Sequence, residues 1–423
     1  MINKFKIINP YSSNNDNKLE PILELFKGKI FSFLLKLFSN NCVDTLGPHI
    51  FSIKKSVSRT LTNLLSTWIF SLYIDYDFSS DYFFPTNYNN VDCLEIILKD
   101  MCKYDMTIIN PDEKIKIILE NLKKNYKCQL DLLEEYKKSQ IFNNNKNNYK
   151  IKKTIVSLKK NKINEIETTF YKFEIKVNFM IKDKRLYNII NNILIPINIY
   201  NKLAAVYTGP NHMLDDYIWT ILYRYQLLGS NNHQLAVLPK IMLEMKKDYN
   251  LNFECFASAI NNTFNSFCSI YYDIEKYFGS VGSFFNMIPV KGTFGFNPPY
   301  QTDIIELGIN RILKYLKEPT YELTFIITIP IWDLEGRAKM KELYNNDLEQ
   351  QNIDYGEFPI IATIKQSEYF KAMIMVPKEK FTYVDHNFGL YKNKTIQNTY
   401  VIILSNQNID SNKLLAYDFE KVV

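Results

Sequence analysis

Glycine is scarce in this chain, 12 in 423 residues, and none of it forms a G-x-G-x-x-G run. A dinucleotide fingerprint is therefore not indicated. Histidine is rarer still: His49, His212, His233 and His386 stand far apart. The six cysteines (Cys42, Cys93, Cys102, Cys128, Cys255, Cys268) include no C-x-x-C pair, so zinc-ligand spacing is missing and no metal is expected. With no signal peptide at the start, the thiols are expected to be reduced and the protein intracellular. No long apolar run is present either. LTNLLSTWIFSLYI at 61–74 falls short of the roughly 20 residues a membrane span needs and carries Thr, Asn and Ser, so it reads as a buried helix. The net charge of +6 permits a polyanionic partner without demanding one.

Asn, Lys, Ile, Tyr and Phe are abundant, the composition of an AT-rich genome, and apolar content is ordinary for a packed core. Residues 1–20 are polar and Asn-rich and read as a flexible tail. From 21 to 204 the spacing is mainly helical, as in PILELFKGKIFSFLLKLF and PDEKIKIILENLKKNYKC, where Pro111 suits a first helical turn. Within this part, 141–190 is basic, with about 12 Lys/Arg against about 4 Asp/Glu. That segment is either a face for phosphates or the solvated surface of a Lys-rich chain, and TTFYKFEIKVNFMI in it alternates like a strand pair. From 205 to 423, helices (HMLDDYIWTILYRYQLLG, LPKIMLEMKKDYN) alternate with strands (LNFECF, YELTFIITIP, TYVIILSN), which predicts an α/β sheet layer.

One short stretch in this half has a chemistry of its own. In GFNPPY, two prolines exclude both helix and central strand and stiffen a turn that holds Asn297 and Tyr300. An exocyclic amine such as adenine N6 is a poor nucleophile because its lone pair is delocalised into the ring. Two acceptors aimed at its hydrogens, the Asn297 side-chain oxygen and the Pro298 carbonyl, would draw that nitrogen toward sp³. Pro299 removes slack, and Tyr300 would stack on the base. The alternative is a plain turn before a helix, with Tyr300 in the core.

Upstream, FECFASAIN ends a predicted strand in Ala257, Ser258 and Ala259, small residues at the strand end where nucleotide-like cofactors lie in open α/β sheets. In the loop between the two motifs, Asp273 or Glu275 either accepts from a ribose or amine or is simply solvated.

Taken in order, FECFASAIN, YFGSVG, GFNPPY and FIITIPIW resemble the landmarks of the phosphorylated-CTD-interacting-factor family, the cap-specific adenosine N6-methyltransferases. The family's runs read approximately FECFASPLN, YFGS, NPPF and IPEW. The likeness covers roughly 205–332, with a looser tail to about 405. It implies a Rossmann-like, S-adenosylmethionine-dependent methyltransferase domain preceded by a mainly helical N-terminal domain. It also implies single-stranded RNA with an m7G-capped 5′ end as substrate and m6Am as product. Carried over by position, Asn297, Pro298, Pro299 and Tyr300 would be catalytic. Phe256, Ala257, Ser258, Asn261, Phe278, Gly279 and Ser280 would bind the cofactor, and Glu275, read above as an acceptor for a ribose or amine, is placed with them. Tyr300 and Trp332 would contact the substrate.

Departures from the family are Tyr300 for Phe, Ala259 for Pro and Ile331 for the acid of IPEW; SEYFKAMIMV lacks an expected Arg- and His-bearing run. Trp68, Trp219 and Trp332 are too far apart for a WW domain, so docking to a polymerase tail is not expected. Such a compact, AT-rich relative fits a viral factory in the cytoplasm or, if cellular, the nucleus. Adenine in internal RNA or DNA, or a non-catalytic RNA-binding scaffold, stay open as alternatives.

Overall fold

The computed structural model describes residues 3–8, 19–51, 56–73, 83–85, 88–103, 105, 107–146, 149–158, 168–181, 184–229, 234–300, 302–330, 359–386, 392–394 and 398–419. Trp332 and Ile331 lie outside the described residues.

In KFKI, near the start, Phe5 and Ile7 alternate with two lysines and turn toward the core. They form β1 (Lys4–Ile7), which pairs antiparallel with Met287–Lys291, and the Phe5 ring meets Phe253 at 5.4 Å. Part of the expected flexible tail is therefore a strand, because its period-2 pattern has a partner far along the chain.

Helices follow: α1 (Pro21–Leu46), α2 (Val57–Leu72), α3 (Asp92–Cys102), α4 (Pro111–Lys138) and the short α5 (Gln140–Asn145). Pro21 and Pro111 stand at first-turn positions, where the missing N–H costs nothing. α2 is buried along Leu61, Leu65, Trp68, Ile69 and Leu72, as a core helix should be. Among the described residues no helix is long and apolar enough to cross a membrane.

The basic segment then folds as a three-stranded antiparallel sheet of β2 (Tyr149–Leu158), β3 (Thr168–Ile181) and β4 (Lys184–Pro196). The "mainly helical" part thus carries a strand trio rather than the expected pair. Phe173, Ile175 and Val177 of β3 are fully buried on one face. The register sets Lys150 opposite Lys176, Lys152 opposite Glu174 and Thr154 opposite Lys172 on the other.

After α6 (Ile197–Val206) and α7 (Leu214–Leu228) come β5 (Leu235–Val237), α8 (Pro239–Tyr249), β6 (Leu251–Glu254), α9 (Tyr272–Glu275), β7 (Met287–Phe296), α10 (Thr302–Leu316) and β8 (Glu322–Pro330). The chain ends with α11 (Pro359–Gln366), β9 (Phe370–Val376), β10 (Tyr383–Asp385), β11 (Lys392–Lys394) and β12 (Thr399–Ser405). The result is a mixed α/β protein. Its main sheet runs β7-β8-β12-β9, with β6 parallel to the second half of β7 and β1 along the first half. β8 is parallel to β7, whereas β12 is antiparallel to both β8 and β9. On the far side of β6, single parallel bridges join Glu254 to Phe267 and Phe267 to Ser280. The chain therefore leaves β6 on one side and returns as β7 on the other, which opens a crevice at the strands' carboxyl ends.

The largest apolar cluster joins α1–α4, the inner faces of β3 and β4, α6 and α7 to Ala259, Ile260, Phe267, Tyr271, Ile274 and Phe278. No break in this core falls near residue 204. A buried ion cluster bolts the two parts together. Arg224 of α7 gives Nε and Nη2 to Glu24 of α1 (2.8 and 2.9 Å) and Nη1 and Nη2 to Asp273 of α9 (both 2.9 Å). Lys27 adds a 2.7 Å contact to Glu24. Burial of this many charges is tolerable only because each is paired and hydrogen-bonded.

Candidate active site

β6 and β7 deliver their carboxyl ends to one cleft of about 280 Å³. Its first wall is the turn after β6. Ser258 N–H donates to Asn261 Oδ1 (2.7 Å), and the N–H groups of Asn261 and Asn262 return to the Ser258 carbonyl (3.2 and 3.0 Å). The half-buried Lys202 and the buried Glu254 and Glu275 brace this turn from behind. Lys202 donates to the carbonyls of Ile260 (3.2 Å) and Asn262 (2.8 Å), and burial lowers its ammonium to about 8. Glu254 Oε2 accepts from the Thr263 and Phe264 N–H groups (2.7 and 2.9 Å). Glu275 Oε1 accepts from Ala259 N–H (2.7 Å) and its Oε2 from the Tyr225 hydroxyl (3.1 Å). Burial pushes both carboxyls up to about 7.

The second wall is Asn297–Tyr300. β7 ends on Phe296, whose ring packs edge-on against Phe256 (5.3 Å) and Phe284 (5.5 Å). Such aromatic pairs are each worth about 1 kcal/mol beyond their burial and fix the strand end. Gly308 of α10 lets the Phe296 ring lie against the helix, since an added Cβ would collide with it. Beyond this anchor, the Tyr300 hydroxyl donates to Asn297 Oδ1 at 3.2 Å. The Tyr300 ring meets Tyr383 of β10 at 6.0 Å, 69° from parallel. Burial, with the neighbouring Tyr383 phenol, raises the Tyr300 phenol well above its ordinary value, so it stays a protonated donor.

Of the residues predicted from sequence, Phe256, Ala257, Ser258, Asn261 and Asn297–Tyr300 line this one cleft. Glu275, Phe278, Gly279 and Ser280 do not. Glu275 is fully buried and spends both oxygens on the turn and on Tyr225. Phe278 is a core residue packed on Tyr207 (5.1 Å). Gly279 has φ +103°, and a Cβ there would strike the Asn265 carbonyl. Ser280 is buried against Ser269 (2.7 Å), which is itself a lining residue. This loop shapes the cleft from behind. Asp273, read as solvated or ligand-facing, is held by Arg224.

Sequence reasoning missed Asn63, Thr67 and Phe70 of α2, which form a third wall, and Gln234 before β5. Asn63 and Thr67 stand i, i+4 on α2, but Ser58, Thr60, Thr62, Ser66 and Ser71 share that helix, so the sequence does not single them out. Among the described residues no carboxylate or histidine lines the cleft. Burial raises the thiols of Cys255 and Cys268 well above their ordinary range, so neither is a thiolate nucleophile at neutral pH. What the cleft offers is hydrogen-bond acceptors, apolar rings and backbone, fixed in place.

Residues 198–355 match the family model described as phosphorylated CTD interacting factor 1 WW domain. This segment of the chain is related to the phosphorylated CTD interacting factor 1 family. Over 121 residues the chain is 32% identical to the mRNA (2′-O-methyladenosine-N(6)-)-methyltransferase of Mus musculus and 31% identical to that of Homo sapiens. Those residues are 27% of this chain and 17% of each relative's length. The family's description names a WW domain, against the expectation drawn from tryptophan spacing. Within the described part of the match, from α6 to β8, Trp219 is a buried residue of α7.

Proposed function

We propose that this chain is an S-adenosylmethionine-dependent RNA methyltransferase acting on N6 of the adenosine at an m7G-capped 5′ end, built on a Rossmann-like domain. The observation that carries the proposal is the meeting of the Asn297–Tyr300 turn and the Phe256–Asn261 turn in one cleft at the carboxyl ends of parallel strands. Both relatives named above are adenosine N6-methyltransferases by name.

The residues present fit the cofactor. Ala257 and Ser258 are small and keep the floor low, with Ser269, Ile270 and Ser283 also lining the cleft. When bound, S-adenosylmethionine supplies an electrophilic methyl group. This chain's own part is to hold the base. Asn297 Oδ1 and the Pro298 carbonyl accept the two amine hydrogens, the prolines fix their spacing, and the Tyr300 ring bounds the base plane. With no general base among the cleft's described residues, positioning and polarisation do the work, and the amine proton leaves to solvent after transfer.

The target base has to be unstacked, which is cheap at a single-stranded end. Lys150, Lys152 and Lys176 are exposed on the outer face of the β2–β3 sheet, and we assign phosphate contacts to them.

A labelled methyl-transfer assay comparing capped RNA, uncapped RNA and DNA of one sequence tests the proposal, with calorimetric S-adenosylmethionine binding beside it. Capped RNA is expected to be labelled in preference. Equal labelling of capped and uncapped RNA removes the cap requirement, and no cofactor binding by folded protein removes the enzyme. Asn297→Ala is expected to abolish turnover and leave cofactor affinity within about a few-fold; an unchanged rate places the chemistry elsewhere.

A further inference from the structure

Gln234 lines the cleft, is 2% exposed, and its Nε2 has no hydrogen-bond partner among the described residues. A buried donor left without an acceptor is costly and rare enough to need an explanation. The other end of the amide is well held: Oε1 accepts from Ser258 Oγ at 2.6 Å. Ser258 Oγ accepts from Asn261 N–H at 3.3 Å and also lies 3.1 Å from Asn261 Oδ1, but its 2.6 Å contact with Gln234 is the shorter and has the length of an O–H···O bond, so its proton goes to Gln234. That order of donors sets the amide with its oxygen toward Ser258 and its nitrogen away from it.

The backbone at Gln234 is also fixed. Its carbonyl accepts from His386 N–H (3.0 Å), and the adjoining Leu235 pairs with Asp385 of β10. β10 also carries Tyr383, the ring that backs Tyr300. One small sheet therefore carries Gln234 and supports the aromatic wall of the same cleft.

We infer that Gln234 reads the substrate base: its side-chain amide donates to the ring nitrogen beside the exocyclic amine of adenine. The inference rests on the function proposed above and adds a recognition element to it. Adenine presents a donor amine flanked by acceptor ring nitrogens. Acceptors at Asn297 and Pro298 with a donor at Gln234 match that pattern. At the Watson–Crick edge of guanine, an oxygen beside an N–H, all of these contacts are mismatched. A site built this way rejects the wrong base because its buried polar groups are then left unpaired.

The test uses the full chain, S-adenosylmethionine, and a capped RNA oligonucleotide beginning with adenosine, 1-deazaadenosine or 7-deazaadenosine. Wild type is compared with Gln234→Ala and Gln234→Glu. The alanine removes the donor and the acceptor for Ser258 together, whereas the glutamate keeps the shape and the acceptor; both are assayed at about pH 8, above the value of about 7 to which burial raises Glu254 and Glu275, so that the carboxyl is ionised and donates nothing. Both variants are expected to bind the adenosine RNA about ten-fold more weakly, with cofactor affinity unchanged. Wild type is expected to lose about the same factor with one deaza analogue, and the variants to lose nothing further with it. Loss of cofactor affinity with unchanged RNA binding assigns the amide to the cofactor and overturns the inference. So does a wild type indifferent to both analogues. A wild type that binds no S-adenosylmethionine overturns the parent reading, which the cofactor titration reports separately.

Discussion

The Tyr300 hydroxyl bonds Asn297 Oδ1 at 3.2 Å, so the oxygen proposed to receive an adenine amine already has a donor three residues along its own turn. A phenylalanine at this position, as in the family run NPPF, would lack that donor. In this chain the base has to displace or share the contact. Tyr300→Phe is therefore expected to keep the ring and free the acceptor, leaving kcat unchanged or raised by about a few-fold. Tyr300→Ala removes the stacking surface, worth about 1–3 kcal/mol per base, and should appear mainly in KM. A dead Tyr300→Phe variant in the methyl-transfer assay means that the hydroxyl takes part in the chemistry.

Arg224 is the shared partner of Glu24 and Asp273. Arg224→Met leaves Asp273 without this counterion and Glu24 with Lys27, a loss expected to cost about 3 kcal/mol. Denaturant unfolding is the measurement. A loss below about 1 kcal/mol would mean that solvent reaches this cluster.

Glu275 is a buried acid pushed up to about 7, first by desolvation, against the pull of its hydrogen bonds. A carboxyl raised in the folded state favours folding fully below its unfolded pKa, and that advantage is lost as pH rises through the folded value. Glu275→Gln keeps an acceptor for Ala259 and cannot ionise. The variant's stability relative to wild type is therefore expected to rise between about pH 4.5 and 7 and to level off above. Paired melting curves across that range measure it, and a flat difference would show that Glu275 stays ionised when folded.

Lys150, Lys152 and Lys176 lie on one sheet face, with Glu174 reaching Lys172 and Lys176. Replacing the three with glutamine should lower the slope of log K against log salt for single-stranded RNA by about 2, near 0.7 per lost phosphate contact. Cofactor binding should not change. An unaltered slope would make this face solvated surface only.

The strands and the long helices of this fold follow from period: YELTFIITIP and TYVIILS are apolar because β8 and β12 are buried in the sheet, and α4 opens at Pro111 as the sequence implies. The cleft was half legible. Asn297–Tyr300 and Phe256–Asn261 are legible only together, because a proline-stiffened turn alone could equally be a plain turn before a helix, whereas the two motifs in order resemble one family's landmarks. Glu275 was misplaced because burial does not show in its neighbours' letters; only the fold brings Ala259 and Tyr225 onto its oxygens. Asn63, Thr67 and Gln234 were invisible for a related reason. They reach the cleft through packing of α2 and pairing of β5, contacts made across long stretches of chain.

The pairing of β1 with β7 joins Lys4 to Lys291, on the strand that ends in Phe296 just before Asn297. Strand β1 therefore finds its partner nearly three hundred residues further along the chain. Closing so long a loop is slow compared with forming the local helices that lie between. The sheet edge along the first half of β7 is thus expected to close later than those helices, behind the strand end that carries Asn297.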